Sequence, residues 1–214
     1  MCANAYSRTQ ISRRFAGAFL LSVLLLSSGC ATRQGLELPD LGDWDSRQYL
    51  LGQVDEWEFN GRIGVSAGDE GFNASLRWAQ DGDDFQATVS GPLGIGTVRL
   101  EGNGRRVKLI DKDGNRTVLD DAEADLYVRY GWTIPVQSLR YWALGIPDPA
   151  LPATTEFDDQ GQLRSLGQGG WNVRITRYGN GGGQSMPTRL TALSEETRVK
   201  LVIHKWLFFD QPAP

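Results

Sequence analysis

The chain of 214 residues has one histidine, His204, and two cysteines, Cys2 and Cys30. That scarcity leaves neither a histidine-cysteine metal centre nor a disulfide framework to build on. No H-E-x-x-H, C-x-x-C or Walker-type glycine loop occurs. The residue sets for zinc hydrolysis, dithiol redox chemistry and nucleotide binding are therefore missing, and the chain reads as a non-enzyme without cofactor or metal. Basic clusters are absent too, with Lys+Arg 22 against Asp+Glu 26, which argues against nucleic acid as a partner. The longest apolar run, residues 15–26 (FAGAFLLSVLLL), falls short of the roughly 20 residues that span a bilayer as a helix. What is abundant is glycine, 26 residues, and aromatic side chains, including 7 tryptophans. This mix suits short strands, tight turns and large side chains facing an apolar interior.

The short apolar run follows Arg8, Arg13 and Arg14 and ends in Leu26-Ser27-Ser28-Gly29-Cys30. Basic residues, an apolar stretch and small residues before a cysteine form a secretory leader, and this one resembles bacterial lipoprotein signal peptides, with Leu26 one place further from the cysteine than is usual. The resemblance implies cleavage of residues 1–29, with Cys30 as the first mature residue bearing S-diacylglycerol and an N-acyl chain. Ser12-Arg13-Arg14-Phe15 leaves Sec and twin-arginine export both open. Three arginines and no acid leave with the leader, which takes the net charge from −4 to −7. Ala31 after the cysteine, in place of aspartate, implies sorting to the outer membrane.

Residues 30–43 read as a lipidated tether and residues 44–214 as a single domain. Residues 43–54 carry an imperfect apolar face with Asp43 as cap, and predict a helix. From Trp57 the period becomes two. Strands are predicted around Trp57-Phe59-Ile63-Val65, Phe72-Ala74-Leu76-Trp78, Phe85-Ala87-Val89, Val98-Leu100, Val107-Leu109 and Thr117-Leu119, joined by Asp-Gly and Gly-Asn-Gly turns. A helical insertion near 121–145 interrupts them. Asp120 or Asp121 caps its first helix and Gly131 stops it; Pro135 opens a second that ends at Gly145. Strands resume at Thr154-Phe157, Leu163-Leu166, Trp171-Val173-Ile175, Leu190-Ala192 and Val199-Leu201-Ile203. About eleven antiparallel strands are too many for a flat sheet, so the fold class is mainly β: an open, incomplete barrel with the helices as a lid on its concave side.

The inward set is Trp57, Phe59, Ile63, Phe72, Leu76, Trp78, Phe85, Val89, Trp171 and Val199, with Leu126, Tyr130, Leu139 and Trp142 from the helices. Alternation is compatible with a packed core or with an apolar ligand cavity. His204 falls out of phase with Val199, Leu201 and Ile203 and is read as a surface residue. The carboxylates Asp120, Asp121, Glu123 and Asp125 suit the positive end of a helix better than acid-base chemistry. Gly179-Asn180-Gly181-Gly182-Gly183 reads as a flexible connection. One loop is unusual: Gly91-Pro92-Leu93-Gly94-Ile95-Gly96 places two aliphatic side chains in a turn. Either they fold back onto the core or they form an apolar finger that touches a membrane or a lipid-bearing partner.

The lipobox at Cys30, Trp57-Glu58-Phe59-Asn60-Gly61-Arg62, Trp78-Ala79-Gln80, Pro92-Leu93-Gly94, the segment from Ile134-Pro135 to Leu144-Gly145-Ile146-Pro147, and Gly170-Trp171 together resemble the LolB family of outer-membrane lipoprotein receptors. The resemblance covers most of the mature chain. It implies a LolA/LolB-like open barrel, monomeric, anchored by lipid in the outer membrane of a Gram-negative bacterium and facing the periplasm. Its apolar cavity would receive the acyl chains of lipoproteins from the periplasmic carrier LolA and release them into membrane lipid without nucleotide. The lining expected on this basis is Trp57, Phe59, Ile63, Leu76, Trp78, Val89, Leu126, Tyr130, Leu139, Trp142 and Trp171. Pro92, Leu93, Gly94 and Ile95 are the expected membrane-insertion loop, with Leu93 as its functional leucine. A lipid-anchored structural lipoprotein with a packed core and no ligand is the alternative.

Overall fold

Alternation of inward apolar and outward polar residues builds the whole domain. The computed structural model describes residues 35–92, 96–103 and 106–209; Cys30, Leu93, Gly94 and Ile95 lie outside the described residues. Eleven strands form one antiparallel sheet: β1 (Glu56–Ala67), β2 (Glu70–Asp81), β3 (Asp84–Ser90), β4 (Val98–Asn103), β5 (Arg106–Ile110), β6 (Arg116–Leu119), β7 (Ala153–Phe157), β8 (Leu163–Gln168), β9 (Trp171–Gly181), β10 (Gln184–Leu193) and β11 (Thr197–Phe208). The order is β6-β5-β4-β3-β2-β1-β11-β10-β9-β8-β7. The β1–β11 pairing joins the two ends of the chain, while β6 and β7 remain as separate edges, so the barrel is open.

The long central strands bury their inward residues almost completely. Trp57, Phe59, Ile63 and Val65 of β1 are 1–3% exposed, and the same face continues through Leu76 and Trp78 of β2 and Val199, Leu201 and Ile203 of β11. An aromatic ladder crosses the sheet here: Trp57 stacks on Trp78 at 6.4 Å and Trp78 on Phe85 at 4.8 Å. On the other side Trp206 tilts against Phe59 at 5.2 Å and stacks on Phe208 at 5.8 Å. A bulge opposite Asn60 and Gly61 leaves both His204 and Lys205 exposed, then returns Trp206 and Phe208 to the inner face.

Among the described residues three helices complete the fold. α1 (Trp44–Gln53) is capped by Asp43, whose side chain accepts a hydrogen bond from the Ser46 N–H at 2.8 Å. Its apolar face is poorer than the sequence suggests, since Tyr49 is exposed and Arg47 is buried. α2 (Ala122–Tyr130) and α3 (Val136–Leu144) form the insertion. Both stop at a glycine in the left-handed region, Gly131 (φ 71°) and Gly145 (φ 79°), where a side chain would be strained. At Gly145 space is also short, because a Cβ there would meet Pro187 of β10 at 2.9 Å.

Two expectations are corrected. The glycine run is no flexible connection: Gly179 to Gly181 belong to β9, and Gly182 and Gly183, both at positive φ, make the tight turn into β10. Nor does the tether extend to Asp43. The Leu36 N–H donates to the Phe208 carbonyl at 2.6 Å, the Leu38 N–H donates to the Gly182 carbonyl at 2.6 Å, and Leu38 is buried. A run without periodicity is thus docked by its backbone, which leaves no pattern in the sequence.

Candidate functional site

The inner face is not filled uniformly. α3 packs Val136, Leu139, Trp142, Ala143 and Leu144 into the concave side, and a polar network fixes it there. The Gln168 Oε1 accepts from the Trp142 indole N–H at 2.9 Å and from the Asp148 N–H at 3.0 Å, while its amide donates to the carbonyls of Asp148 and Leu151, each at 2.9 Å. Ser138 donates to the Asp148 carboxylate at 2.8 Å. Buried polar groups are tolerated when every partner is present, and here they tie α3 to the loop after it and to β8.

α2 covers the remainder of the inner face and fills it incompletely. Beneath it lies a cavity of about 350 Å³ lined by Phe72, Asn73, Ala74, Val89, Gly91, Pro92, Gly96, Val98, Leu100, Leu109, Leu126, Tyr130, Trp132 and Ile134. Leu126 is the one α2 side chain that plunges in, at 2% exposed. The mouth is rimmed by aromatic rings: Tyr130 stacks on Trp132 at 5.2 Å, and Trp132 meets Phe72 at 5.2 Å. Among the described residues Asn73 is the only amide or charged side chain in the lining, so water inside finds few partners and an apolar guest loses few.

Two other hollows have a different chemistry. One of about 810 Å³ beside α2 is lined by Asp120, Asp121, Glu123, Asp148 and Glu196 among others, and one of about 420 Å³ by Glu56, Glu58, Asp81, Asp84 and Glu101 among others. Both are open and carboxylate-rich, unsuited to an acyl chain. Two of the four carboxylates at the start of α2 bind backbone N–H groups there: Asp121, the cap, accepts from the Ala124 N–H at 3.0 Å and Asp125 from the Asp120 N–H at 3.1 Å. Burial, with the Asp121 charge adding to it, pushes the Glu123 carboxyl above the usual carboxylate range. Among the described residues no group of His, Cys, Asp and Glu is placed to hold a metal ion, and no helix is long and apolar enough to cross a membrane.

The family model for "Outer membrane lipoprotein LolB" matches residues 55–206. The chain belongs to the LolB family. It is 36% identical over 189 residues to the outer-membrane lipoprotein LolB of Nitrosococcus oceani, covering 87% of this chain and 94% of the relative. With that of Aeromonas hydrophila it shares 32% over 188 residues, 88% and 94% of the two chains. The crystal structure of a LolA superfamily protein from Nitrosomonas europaea superposes with a TM-score of 0.53 at 12% identity, over 78% of this chain and 94% of that one. That likeness is one of fold.

Against this LolB framework the expected lining divides in two. Val89, Leu126 and Tyr130 line the cavity and Pro92 borders its mouth. Trp57, Phe59, Ile63, Leu76, Trp78, Leu139, Trp142 and Trp171 do not; they are packed core, with Trp142 and Trp171 in ring contact at 6.2 Å. The physical reason is α3, which occupies the concavity over the central strands and leaves only the part under α2 open. Tyr130 is 47% exposed, a rim residue instead of an interior one. Val98, Leu100 and Leu109 line the cavity without having been singled out, although their strands alternate like the others. Trp132 and Ile134 sit between the two helices, where no periodicity marks them.

Proposed function

We propose that the protein is an outer-membrane lipoprotein receptor, lipid-anchored at Cys30 and facing the periplasm, which accepts acylated lipoproteins from LolA and passes them to the outer membrane. The observation that supports this best is the apolar cavity under α2 with its aromatic mouth. Apolar chains in water cost about 0.8 kcal/mol per methylene, so transfer needs a dry path from one cavity to the next and then to the bilayer. No nucleotide enters the proposal; direction follows from affinity, the receiver binding acyl chains more tightly than the carrier and less tightly than the membrane. A cavity of about 350 Å³ lies at the small end of ligand pockets, which run from about 300 to 1,000 Å³. Admitting several chains therefore requires α2 to lift.

The experiment is transfer of a purified acylated lipoprotein from LolA to residues 31–214 of this chain without nucleotide. Transfer is expected; none from a competent, loaded carrier overturns the reading. The insertion loop, Pro92, Leu93, Gly94 and Ile95, is proposed to act at release. A Leu93→Glu protein is expected to load cargo normally and deliver it poorly, and failure to load would refute that division of roles. Packing of Trp57, Phe59, Trp78 and Trp142 into a continuous core favours the second reading, a structural lipoprotein without ligand. It predicts no uptake of an apolar fluorescent probe.

A further inference from the structure

We infer that residues 36–39 form a strap that keeps the cavity mouth away from the membrane holding the lipid anchor, and that delivery requires the strap to peel off. The inference rests on lipid attachment at Cys30 and on the delivery reading above. Strap and mouth lie at opposite ends of the sheet, as the strand registers require. Trp57 pairs with Phe208, Asp81 with Asp84 and Gln184 with Gly181 at one end. The strap lies across this end: Leu36 bridges Phe208, Leu38 bonds Gly182, and the Gln184 side-chain amide donates to the Pro39 carbonyl. At the other end Ala67 pairs with Glu70, Ser75 with Ser90, and Val89 with Val98. Phe72, Gly91, Pro92 and Gly96 border the mouth there.

Covalent reach turns this placement into a constraint. From Cys30 to Leu36 the chain spans about 20 Å at full extension. β1, with 12 residues, separates the two ends by about 30 Å at ordinary strand rise and barrel tilt. A strapped domain therefore cannot stand with its mouth on the bilayer that holds Cys30. Its mouth is held off that bilayer and left open to an arriving carrier. Freed back to Asp43, the chain reaches about 45 Å, enough for the domain to turn over. Peeling stops at α1, because Arg47 is buried over the Tyr178 ring at 5.1 Å and donates to the Ser185 carbonyl, and Leu51 is fully buried. The strap itself is held by a few hydrogen bonds and one buried leucine, which suits a contact that is made and broken.

The test uses the full-length lipidated protein in vesicles of phosphatidylethanolamine with a minority of phosphatidylglycerol and a nitroxide-labelled lipid as quencher. A fluorophore at Gln160→Cys, in the turn at the strap end, is expected to be quenched, and one at Asp69→Cys, in the turn at the mouth end, to be spared. Leu38→Asp, which expels the strap, should bring quenching to the Asp69 position. Locking the strap uses Gly35→Cys with Leu207→Cys, since a Cβ at residue 35 would lie 3.2 Å from the Leu207 side chain. The oxidised protein is expected to accept cargo from loaded carrier and to lose insertion, and reductant should restore it. Equal quenching at both positions in the strapped protein, or insertion by the locked form at the rate of the reduced form, overturns the strap. A reduced protein that keeps the quenching contrast but inserts nothing supports the orientation and counts instead against the delivery reading.

Discussion

α2 and α3 are equal in length, adjacent in sequence and stopped alike by a left-handed glycine, yet they are held by different physics. α3 buries Val136, Ser138, Leu139, Trp142, Ala143 and Leu144 and is pinned by the Gln168 network. α2 buries Ala122 and Leu126 and leaves Tyr127, Val128 and Tyr130 exposed. One helix is part of the core and the other rests on it over a cavity. A lid inferred from the sequence as a unit is thus a deeply buried plug with a shallowly seated cover beside it.

The contrast can be broken most severely at Trp142. Trp142→Ala removes the largest α3 side chain and one of the two hydrogen bonds to the Gln168 carbonyl oxygen, and is expected to cost about 3–5 kcal/mol in denaturant unfolding. The matching change on α2, Leu126→Ala, opens onto space that already exists. It should cost about 2 kcal/mol, with faster amide exchange across α2 and unchanged exchange across α3. A loss as large as that at Trp142, or one spread over both helices, would make the two a single unit after all.

A finer distinction comes from pH. Glu123 has a raised folded pKa, so folded α2 binds more protons than unfolded chain between the ordinary glutamate value and the raised one. Docking of α2 should therefore be firmest below the ordinary value and loosen as pH rises through the raised one. Glu123→Gln should flatten this profile, followed by α2 amide protection corrected for intrinsic exchange; an unaltered slope would assign it elsewhere. The smallest effect is expected at Val128, 82% exposed. Val128→Ser should change stability by no more than about 0.5 kcal/mol, so any loss of acyl-chain transfer in that variant would mark a contact surface and not a folding defect.

Much of the scaffold was legible because alternation reports which way a side chain points. All eleven strands, both insertion helices, the Asp43 and Asp121 caps and the glycine stops follow from local pattern. The cavity was legible only in part, because inward direction does not say what waits there. Leu76 and Val89 obey the same alternation, and whether each meets protein or empty space depends on where α3 ends. That boundary is set by Trp142 finding Gln168, a contact across 26 positions. The strap was illegible for a different reason. Its binding is carried by backbone groups at Leu36 and Leu38, and every residue but proline offers the same N–H.

The bulge at His204 makes β11 a strand with two parities. Up to Ile203 the odd-numbered residues face inward, and from Trp206 the even-numbered ones do. His204 is the supernumerary residue of that bulge, opposite no residue of β1, so what counts there is the number of residues and not the chemistry of the side chain. Removing that single residue would close the bulge and leave plain alternation, with Trp206 and Phe208 still inward, whereas adding one residue there would send both to the outer surface while Val199 to Ile203 stayed in place. A position that tolerates substitution, and even loss, would thus be intolerant of an added residue, and a scan of replacements alone would never reveal it.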